Sequence, residues 1–314
     1  MKWLWLIIVP CLSWATVNEP LQVALLTGYR NDRLHWHTQL EASDHAITYS
    51  EQYRDIQFWE NGLALKVIHR DLVFFLSGSY AAFGRGGTLF DRFGNLSFTQ
   101  ANPRFQFSTQ GWASDAKGYF GYAVNLTPDR TYKTILIPLV GYSAHFERLK
   151  RPGSSSLSST NAAGAASFTM TPELPQELHQ SMYGVLLGVG FQVEPGGNLQ
   201  LSGGYTYHWL GDKFKTHYGY DVTLYDASGS PTSSSSTQIK LTSTSSGNLG
   251  QTGWLELQTK LPKGWRFGLA AMIHYFATRV VDARLAPVGQ AVTHQKFRLR
   301  WTPISGSVVV SKEL

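Results

Sequence analysis

Apolar and polar side chains alternate with a period of two through the middle of the chain. At 183–193 the odd positions are bulky and apolar, and at 199–209 they are mostly leucine or aromatic. The even positions of both segments are mostly glycine or small and polar, and Pro-Gly-Gly-Asn at 195–198 separates the two segments. This alternation on both sides of a turn sequence predicts a β-hairpin.

The bulky side chains lie on one face of this hairpin, and this distribution indicates a membrane barrel. A bulky face with an aromatic end, backed by small and polar side chains, suits a barrel whose outside touches lipid. A soluble sandwich would need Lys or Glu along one face, and the hairpin has almost none. The predicted fold class is therefore all-β: a closed antiparallel transmembrane β-barrel.

The same alternation predicts about ten strands. They cover residues 21–36, 56–68, 72–85, 105–124, 133–148, 183–193, 199–218, 253–261, 265–280 and 289–301. The predicted long loops cover residues 41–54, 86–103, 152–180 and 221–248, and they alternate with short turns. Short periplasmic turns opposite long extracellular loops are typical of outer-membrane barrels. The pattern leaves open whether residues 304–314 extend the last strand past Pro303 or form a tail.

Ten strands predict a narrow barrel whose lumen is filled by side chains, which disfavours a general pore. Because backbone groups in hydrocarbon must all be hydrogen-bonded, the sheet has to close. The side chains that we expect to fill the lumen are Glu256, Gln258, Arg266, His274 and Arg298.

The first residues predict a secretory signal. Lys2 precedes a short apolar run, and small residues at Ser13 and Ala15 predict cleavage after Ala15. The predicted domains are a signal peptide at 1–15 and a barrel at 16–314. Cys11, the single cysteine, would leave with the signal, which excludes disulfides from the mature chain. The formal net charge is +6, or +5 without Lys2; this fits an anionic lipid or polysaccharide partner, and it equally fits no such partner.

Four segments of the chain form an ordered set: 27–33, 84–87 followed by Asp91, 140–142 and 203–218. Taken in this order, they resemble the omptins, which are ten-stranded outer-membrane endopeptidases with an active site in a groove at the extracellular rim. None is a sharp motif alone, and their order and spacing carry the resemblance over residues 23–301. The resemblance implies an omptin-like outer-membrane β-barrel.

In omptins a His-Asp pair and a facing pair of aspartates activate water. By resemblance, Asp91 falls on the first of the paired aspartates and His217 on the catalytic histidine. Phe93 and Lys215 occupy the positions of the two missing carboxylates. General base catalysis depends on such partners, so the resemblance implies an incomplete catalytic set. His217 also shares parity with Trp209, which predicts that it points outward unless a bulge intervenes.

The resemblance assigns two more sets of residues. Asp32 matches one acid of the pocket that holds a basic substrate side chain, while Lys213 stands at the position of the other. Tyr142 matches a lipopolysaccharide contact of omptins, and the cations nearby are candidates for anionic sugar or phosphate. The lipopolysaccharide site that we expect consists of Tyr142, Arg148, Lys150 and Arg151, with His145 beside them. Each assignment has an open alternative. Asp91 is then a carboxylate that forms a turn, His217 is a residue at the membrane interface, and the cations near Tyr142 are the solvated base of a loop.

The favoured hypothesis is an outer-membrane barrel that displays surface loops for adhesion or surface interaction, without efficient protease activity. The alternatives are an active omptin-type endopeptidase with altered specificity and a small channel. The expected partners are outer-membrane lipid, lipopolysaccharide as an activator or structural lipid, and a host or surface polypeptide. We expect a monomer without a metal, another cofactor or a nucleic-acid partner.

Overall fold

β-Strands make up nearly all of the part of the chain that the structure describes. The structure is a computed structural model, and it describes residues 21–41, 46–94, 96–97, 107–127, 133–151, 157–160, 167–172, 176–226, 228–278, 281–287 and 293–314. The predicted signal peptide lies outside these residues. Within them, no helix has the length and apolar character needed to cross a membrane.

The strands, in chain order, are β1 Leu21–Glu41, β2 Ala46–His69, β3 Leu72–Gly94, β4 Leu96–Ser97, β5 Phe107–Tyr122, β6 Val124–Asn125, β7 Lys133–Arg151, β8 Leu157–Thr160, β9 Ser167–Pro172, β10 Gln176–Glu194, β11 Leu199–Tyr225, β12 Pro231–Lys260, β13 Trp265–Ala277, β14 Val281–Pro287 and β15 Thr293–Glu313.

Ten of the described strands close into an antiparallel barrel, which confirms the predicted fold class. The ring runs β1-β2-β3-β5-β7-β10-β11-β12-β13-β15 and returns to β1. The short strands β4, β6, β9 and β14 pair with strands of this ring, and β8 pairs with β9. Residues 304–314 continue the last strand past Pro303, because β15 pairs with β1 from Gln39 to Gln22. At the end of this ladder the Leu314 amide donates to the Leu21 carbonyl at 2.9 Å.

The two ends of the barrel differ in their connections. At one end the strands join through Arg70–Asp71, through residues 195–198 and through Pro262–Gly264, and we call this the short-turn end. The opposite end is the long-loop end. The predicted hairpin is confirmed as β10 and β11, and its turn uses Gly196 and Gly197 at φ of 104° and 67°. Residues with a side chain rarely adopt positive φ angles, so both positions require glycine.

A band of exposed apolar side chains surrounds the barrel, as the alternation predicts. Its middle is aliphatic, with Leu25, Leu63, Val140, Leu187, Leu255 and Leu269 among its members. Aromatic side chains border the band towards each end. Those towards the long-loop end include Tyr29, Trp59, Tyr80, Phe83, Tyr142, Phe146, Tyr205, Trp209 and Tyr275, and those towards the short-turn end include Phe120, Tyr122, Trp265 and Phe267.

Several strands extend beyond the predicted bounds at the long-loop end. β2 begins at Ala46, inside the predicted loop 41–54, and β10 begins at Gln176, inside the predicted loop 152–180. β11 and β12 replace most of the predicted loop 221–248, and the prediction for these residues was wrong. Strand pairing satisfies backbone groups whatever the side chains are. A polar strand surrounded by water therefore needs no apolar face, and the sequence pattern gives no signal for it.

One expected lumen residue points the other way. Arg298 is exposed on the outside, together with Lys296 and Arg300, while Phe297 and Trp301 are buried inside. The prediction for Arg298 was wrong because this part of β15 lies beyond the apolar band. There the outer wall meets water, so the cations face outward and the apolar side chains face the lumen. The expectation is confirmed for four other side chains, which face inward: Glu256, Gln258, Arg266 and His274.

Apolar side chains fill the half of the lumen near the long-loop end, and we call this cluster the outer-lumen core. Its members are Leu34, Trp36, Tyr53, Ile56, Phe58, Ala81, Ala113, Leu149, Leu178, Met182, Leu210, Phe214, Leu241, Phe276, Phe297, Leu299 and Trp301. The Phe214 ring lies 5.8 Å from the Trp36 ring and 4.7 Å from the Phe297 ring, between centroids. Side chains from opposite walls thus meet across the lumen.

Candidate functional site

An ion network lies in the lumen next to the outer-lumen core, on its short-turn side. Arg30 on β1 is its centre. The Arg30 Nε and Nη2 atoms donate to the two carboxylate oxygens of Asp32 at 2.7 and 2.8 Å. Its Nη1 donates to Asp115 on β5 and lies 3.9 Å from Glu60 on β2. Arg30 and Asp32 are both buried, so this forked pair is shielded from solvent.

His145 and Trp301 complete the ion network. The His145 Nδ1 atom lies 2.7 Å from Asp115 Oδ1, and because a carboxylate only accepts, this nitrogen carries the proton. The Trp301 indole donates to Asp32 at 3.1 Å, and its ring lies 5.6 Å from the Arg30 guanidinium carbon. The network links strands β1, β2, β5, β7 and β15 across the lumen, which suits a structural lock.

Other buried polar atoms near the ion network have no hydrogen-bond partner among the described residues. They are both carboxyl oxygens of Glu147, one oxygen each of Asp212, Gln180 and Ser243, and His145 Nε2. Such atoms are costly to bury. Among the described residues, no group of three His, Cys, Asp or Glu side chains lies close enough together to hold a metal ion.

Asp32 and Lys213, which the resemblance places in one substrate pocket, lie on opposite faces of the barrel wall. Asp32 is inside and fully paired with Arg30, whereas Lys213 is exposed on the outside. Lys215 is exposed on the same outer face as Lys213. His217 shares this outward face with Trp209, and its strand partner on β10 is Glu177. No parity change in β11 turns His217 towards the lumen.

Asp91 and Phe93 lie in β3, where Phe93 is opposite Tyr49 on β2. The side chains of Asp91, Phe93 and Arg151 lie outside the described part of the structure. The assignment of Asp91 and His217 to catalysis therefore stays a prediction.

A basic patch lies on the outer wall, just beyond the aromatic border of the long-loop end. Arg148 and Lys150 follow Tyr142 and Phe146 on the outward face of β7, and both bind Glu177 on β10, at 2.9 and 2.8 Å. Lys213 and Lys215 continue this basic patch on β11. The hydrogen bond from Lys150, followed by those from His179 and Arg148, lowers the pKa of Glu177 to about 2.

A cleft of about 360 Å³ opens in this basic patch. Arg148, His179, Lys213 and Lys215 line it, with Trp112 at its side. The basic patch holds four cations, on Arg148, Lys150, Lys213 and Lys215, and one carboxylate, that of Glu177. This surface is therefore positively charged and can attract anionic groups. His145, expected beside these cations, points into the lumen instead. That prediction was wrong because His145 has the opposite parity to Tyr142.

The sequence interpretation missed Glu60, Asp115 and His145 as members of the ion network. Asp115 lies within the predicted strand 105–124, but the sequence interpretation assigned it no inward direction. A signal was present: Asp115 and Lys117 occupy alternate positions that face away from Ala116, which is exposed. Charges on the inner face of a membrane strand indicate partners inside the lumen.

The closed barrel, its apolar outer band and its two aromatic borders define an integral outer-membrane β-barrel protein. Residues 24–312 match the family model described as Pom, Protochlamydia outer membrane protein. Since the match covers nearly the whole chain, the chain belongs to this family. No curated protein matches it.

A solved structure shares the fold. The outer membrane protease OmpT from Escherichia coli aligns with a TM-score of 0.63 and 9% identity, over 96% of this chain and 99% of OmpT. This likeness shows an omptin-like fold and nothing about activity. The toluene transporter TodX of P. putida (9% identity, 96% of this chain and 92% of TodX) aligns with a TM-score of 0.27. A FadL homologue of Pseudomonas aeruginosa (10% identity, 94% and 90%) aligns at 0.28, and scores this low carry no argument.

Proposed function

We propose that this protein is a closed outer-membrane barrel that displays its long outer strands and loops for adhesion or surface interaction, without efficient endopeptidase activity. The observation that carries the proposal is the outer-lumen core. It occupies the lumen at the end where an omptin-type enzyme would hold its substrate groove. Seventeen buried side chains fill this space and leave little room for a peptide.

The positions of the implied catalytic residues also support the proposal. His217 and Lys215 face outward, so a carboxylate placed at 215 would not point towards the lumen. Asp32 is bound by Arg30 and by the Trp301 indole, and it is not free to hold a basic substrate side chain. A histidine without an orienting carboxylate loses the contribution of general base catalysis, which is roughly 10²–10⁴-fold.

The long-loop end offers a surface for display. β11 and β12 pair continuously from Asp212–Ser245 to the hairpin tip at Tyr225–Pro231. β9 pairs with the end of β11, and β8 pairs with β9. This paired extension gives a projecting element a fixed shape, which is suited to contact with a host or surface polypeptide.

Peptide cleavage tests this proposal. The purified, folded mature chain with lipopolysaccharide is incubated with a library of mixed peptides, and cleavage is measured by mass spectrometry. We expect no cleavage above background. We also expect none after Phe93→Asp with Lys215→Asp, because residue 215 faces outward. Cleavage by the natural chain that is lost in His217→Ala or Asp91→Ala would contradict the proposal and make the protein an enzyme.

A second proposal concerns the lipid partner: the basic patch binds lipopolysaccharide phosphates. It lies beyond Tyr142 and Phe146, at the height where lipid headgroups meet the aromatic border. Arg148 and Lys150 are partly neutralised by Glu177, whereas Lys213 and Lys215 have no carboxylate within 4 Å among the described residues. Phosphate on these lysines would gain charge-assisted hydrogen bonds.

Lipid-dependent stability tests the second proposal. Lipopolysaccharide should raise the unfolding temperature of the detergent-folded barrel, and Lys213→Gln with Lys215→Gln should remove most of that rise. The matched control, Lys296→Gln with Arg298→Gln, changes two outward cations on β15, outside the basic patch, and should keep the rise. The assignment of phosphate binding to Lys213 and Lys215 would be contradicted if lipopolysaccharide raised the unfolding temperature equally in both double variants. It would also be contradicted if dephosphorylated lipopolysaccharide raised the unfolding temperature of the natural chain.

A further inference from the structure

The half of the lumen near the short-turn end encloses a cavity that the functions above do not use. A main lobe of about 150 Å³ adjoins a smaller lobe of about 100 Å³, and Lys117, Phe75 and Met272 line both. We call the two lobes the lumen cavity. His145 borders it towards the long-loop end, where Asp115 and the outer-lumen core follow. Access is therefore from the short-turn end.

Lys117 places an unpaired cation in the lumen cavity. Its ammonium lies 5.5 Å from the Trp254 ring centroid and 5.8 Å from the Phe75 ring centroid. Its hydrogen bond goes to the Met272 sulfur at 3.8 Å, and a thioether is a weak acceptor. Among the described residues no carboxylate oxygen lies within 4 Å of it. The two ring faces attract the ammonium, but they do not neutralise its charge. A buried charge is costly unless it is paired or hydrated, so this ammonium is suited to receive an anion.

The charged side chains that line the main lobe carry one net positive charge. Lys66 and Lys117 are cations and Glu256 is an anion. The Lys66 ammonium donates to the Gln192 side chain at 3.2 Å, and the Gln258 amide donates to Glu256 at 2.6 Å. A ligand with a single negative charge balances this set.

The two acids of the smaller lobe already have partners. Asp115 accepts from Arg30 and from His145. Glu60 accepts from Ser79 at 2.6 Å and lies 3.9 Å from the same guanidinium of Arg30. An additional anion would therefore bind the Lys117 ammonium in the main lobe.

The walls of the main lobe are apolar and flat. The Phe75 and Tyr119 rings stack at 4.7 Å between centroids, and Leu26 lies on the same lining. On the other side Trp254 packs against the backbone of Gly204, where a Cβ atom would lie 2.5 Å from the indole. An engineered protein cavity of about 150 Å³ holds one benzene molecule, so the space suits a body of one small ring.

We propose that the lumen cavity binds a small organic monoanion, with its carboxylate on Lys117 and its apolar body between Phe75 and Trp254. The ligand enters from the periplasmic side, because the outer-lumen core closes the other direction. This site is separate from the display surface and from the basic patch of the outer wall.

Titration calorimetry with benzoate as the probe tests the proposal on the folded mature chain in detergent micelles. Micelles alone provide the blank. We expect saturable binding at one site, and at least about tenfold weaker binding of benzamide, the neutral analogue of the same shape. A hydrogen bond to a charged group contributes about 1.5–3 kcal/mol, and tenfold corresponds to about 1.4 kcal/mol.

Lys117→Met is the matched variant, since it keeps length and apolar contacts and removes the charge. It should lose benzoate affinity by about tenfold or more, whereas Lys263→Met in the exposed turn should bind as the natural chain does. No saturable binding, equal binding of benzamide, or full affinity in Lys117→Met would each overturn the proposal. The comparison of benzoate with benzamide decides even if Lys117→Met does not fold.

Discussion

At the scale of single residues, Arg30 links carboxylates from different strands of the barrel inside the lumen. Its guanidinium binds Asp32 through two nitrogens and reaches Asp115 with the third. Removal of one partner of a buried ion pair leaves an uncompensated charge, which costs about 3–5 kcal/mol. Arg30 therefore makes a large contribution to stability, although replacing the whole network by apolar residues need not be harmful.

Arg30→Gln should lower the free energy of unfolding by about 3–5 kcal/mol, because Asp32 and Asp115 lose their cation inside the barrel. Urea unfolding in lipid vesicles measures this change. Arg33→Gln is the control: Arg33 is exposed, and its pair with Asp55 at 3.5 Å lies on the outer wall. A surface pair of this kind contributes about 0–1 kcal/mol. Equal effects of the two substitutions would rule out the ion network as a lock.

The inward or outward direction of single residues was predictable wherever the alternation was regular. The parity of His217 with Trp209 predicts the outward direction that the structure has. Arg298 shows the limit of this reasoning. The alternation placed Arg298 on the face opposite Phe297 and Trp301, but it did not indicate that water, rather than lipid, surrounds this part of β15. Which face of a strand is apolar does not say whether that face meets lipid or the lumen, because this depends on height in the membrane.

At the scale of elements, the β11–β12 hairpin carries polar sequence far beyond the apolar band. Its tip is a tight turn in which the Ser228 and Ser230 amides donate to Asp226 Oδ1 at 2.8 and 3.0 Å. Gly229 has a φ of 81°, which favours glycine. The hydrogen bond from the Ser228 hydroxyl, followed by that from the Ser230 amide, lowers the pKa of Asp226. The order of the tip therefore depends on one exposed carboxylate.

Asp226→Ala should increase amide exchange at Ser228 and Ser230 several-fold, since both amides lose their acceptor. Hydrogen exchange with mass spectrometry measures this increase, and the rest of the barrel should keep its protection. Asp226→Asn, which retains an acceptor oxygen, should keep the tip ordered. A tip that exchanges at the same rate in the alanine variant would exclude this carboxylate as its organiser.

The natural tip should also lose protection at low pH. Because the folded pKa of Asp226 is depressed, the stabilisation is present above the usual value near 3.8 and is lost as the pH falls through the folded pKa. After correction for intrinsic exchange rates, the natural chain at the lowest pH should approach Asp226→Ala. The asparagine variant should show no such pH dependence.

The sequence predicted the strands where one face meets lipid and missed them where both faces meet water. β13, with its regular outward aromatics and aliphatics, begins at Trp265 as predicted and ends at Ala277, three residues before the predicted end. The serines at 233–236, in contrast, predicted a loop and lie in β12. Partner strands hold such segments extended, and a long-range pairing partner has no local sequence signal.

At the scale of the whole molecule, one chain separates three environments. Outside, an apolar band with aromatic borders meets lipid, and cations such as Arg298 and Lys213 lie beyond it. Inside, the outer-lumen core closes the long-loop half and the lumen cavity occupies the other half. The barrel thus combines a sealed outer half with an inner half that holds a cavity. The sequence predicted a filled lumen but not this division.

The sealed outer half predicts that the protein does not conduct ions. Inserted in a planar lipid bilayer, the folded mature chain should give no steady open current, because apolar side chains block the aqueous path. A general porin of the same membrane, recorded under the same conditions, serves as the positive control. A large, stable conductance would mean that the core opens in the membrane.

The accessibility of the outer-lumen core to a water-soluble reagent tests the central claim most directly. Residues 16–314, the mature chain that the predicted signal cleavage would leave, contain no cysteine. Single cysteines can therefore be introduced at neighbouring positions of opposite direction. In the pair Leu241→Cys and Lys240→Cys on β12, and in Leu178→Cys and His179→Cys on β10, the first position is fully buried and the second faces outward.

A membrane-impermeant maleimide should label Lys240→Cys and His179→Cys at the rate of a free thiol. It should label Leu241→Cys and Leu178→Cys at least about a hundredfold more slowly, until urea unfolds the barrel, since reaction inside the core requires opening. The account predicts this difference in both pairs. Rapid labelling of the two inward cysteines in the folded protein would show an open groove or pore and would contradict the account.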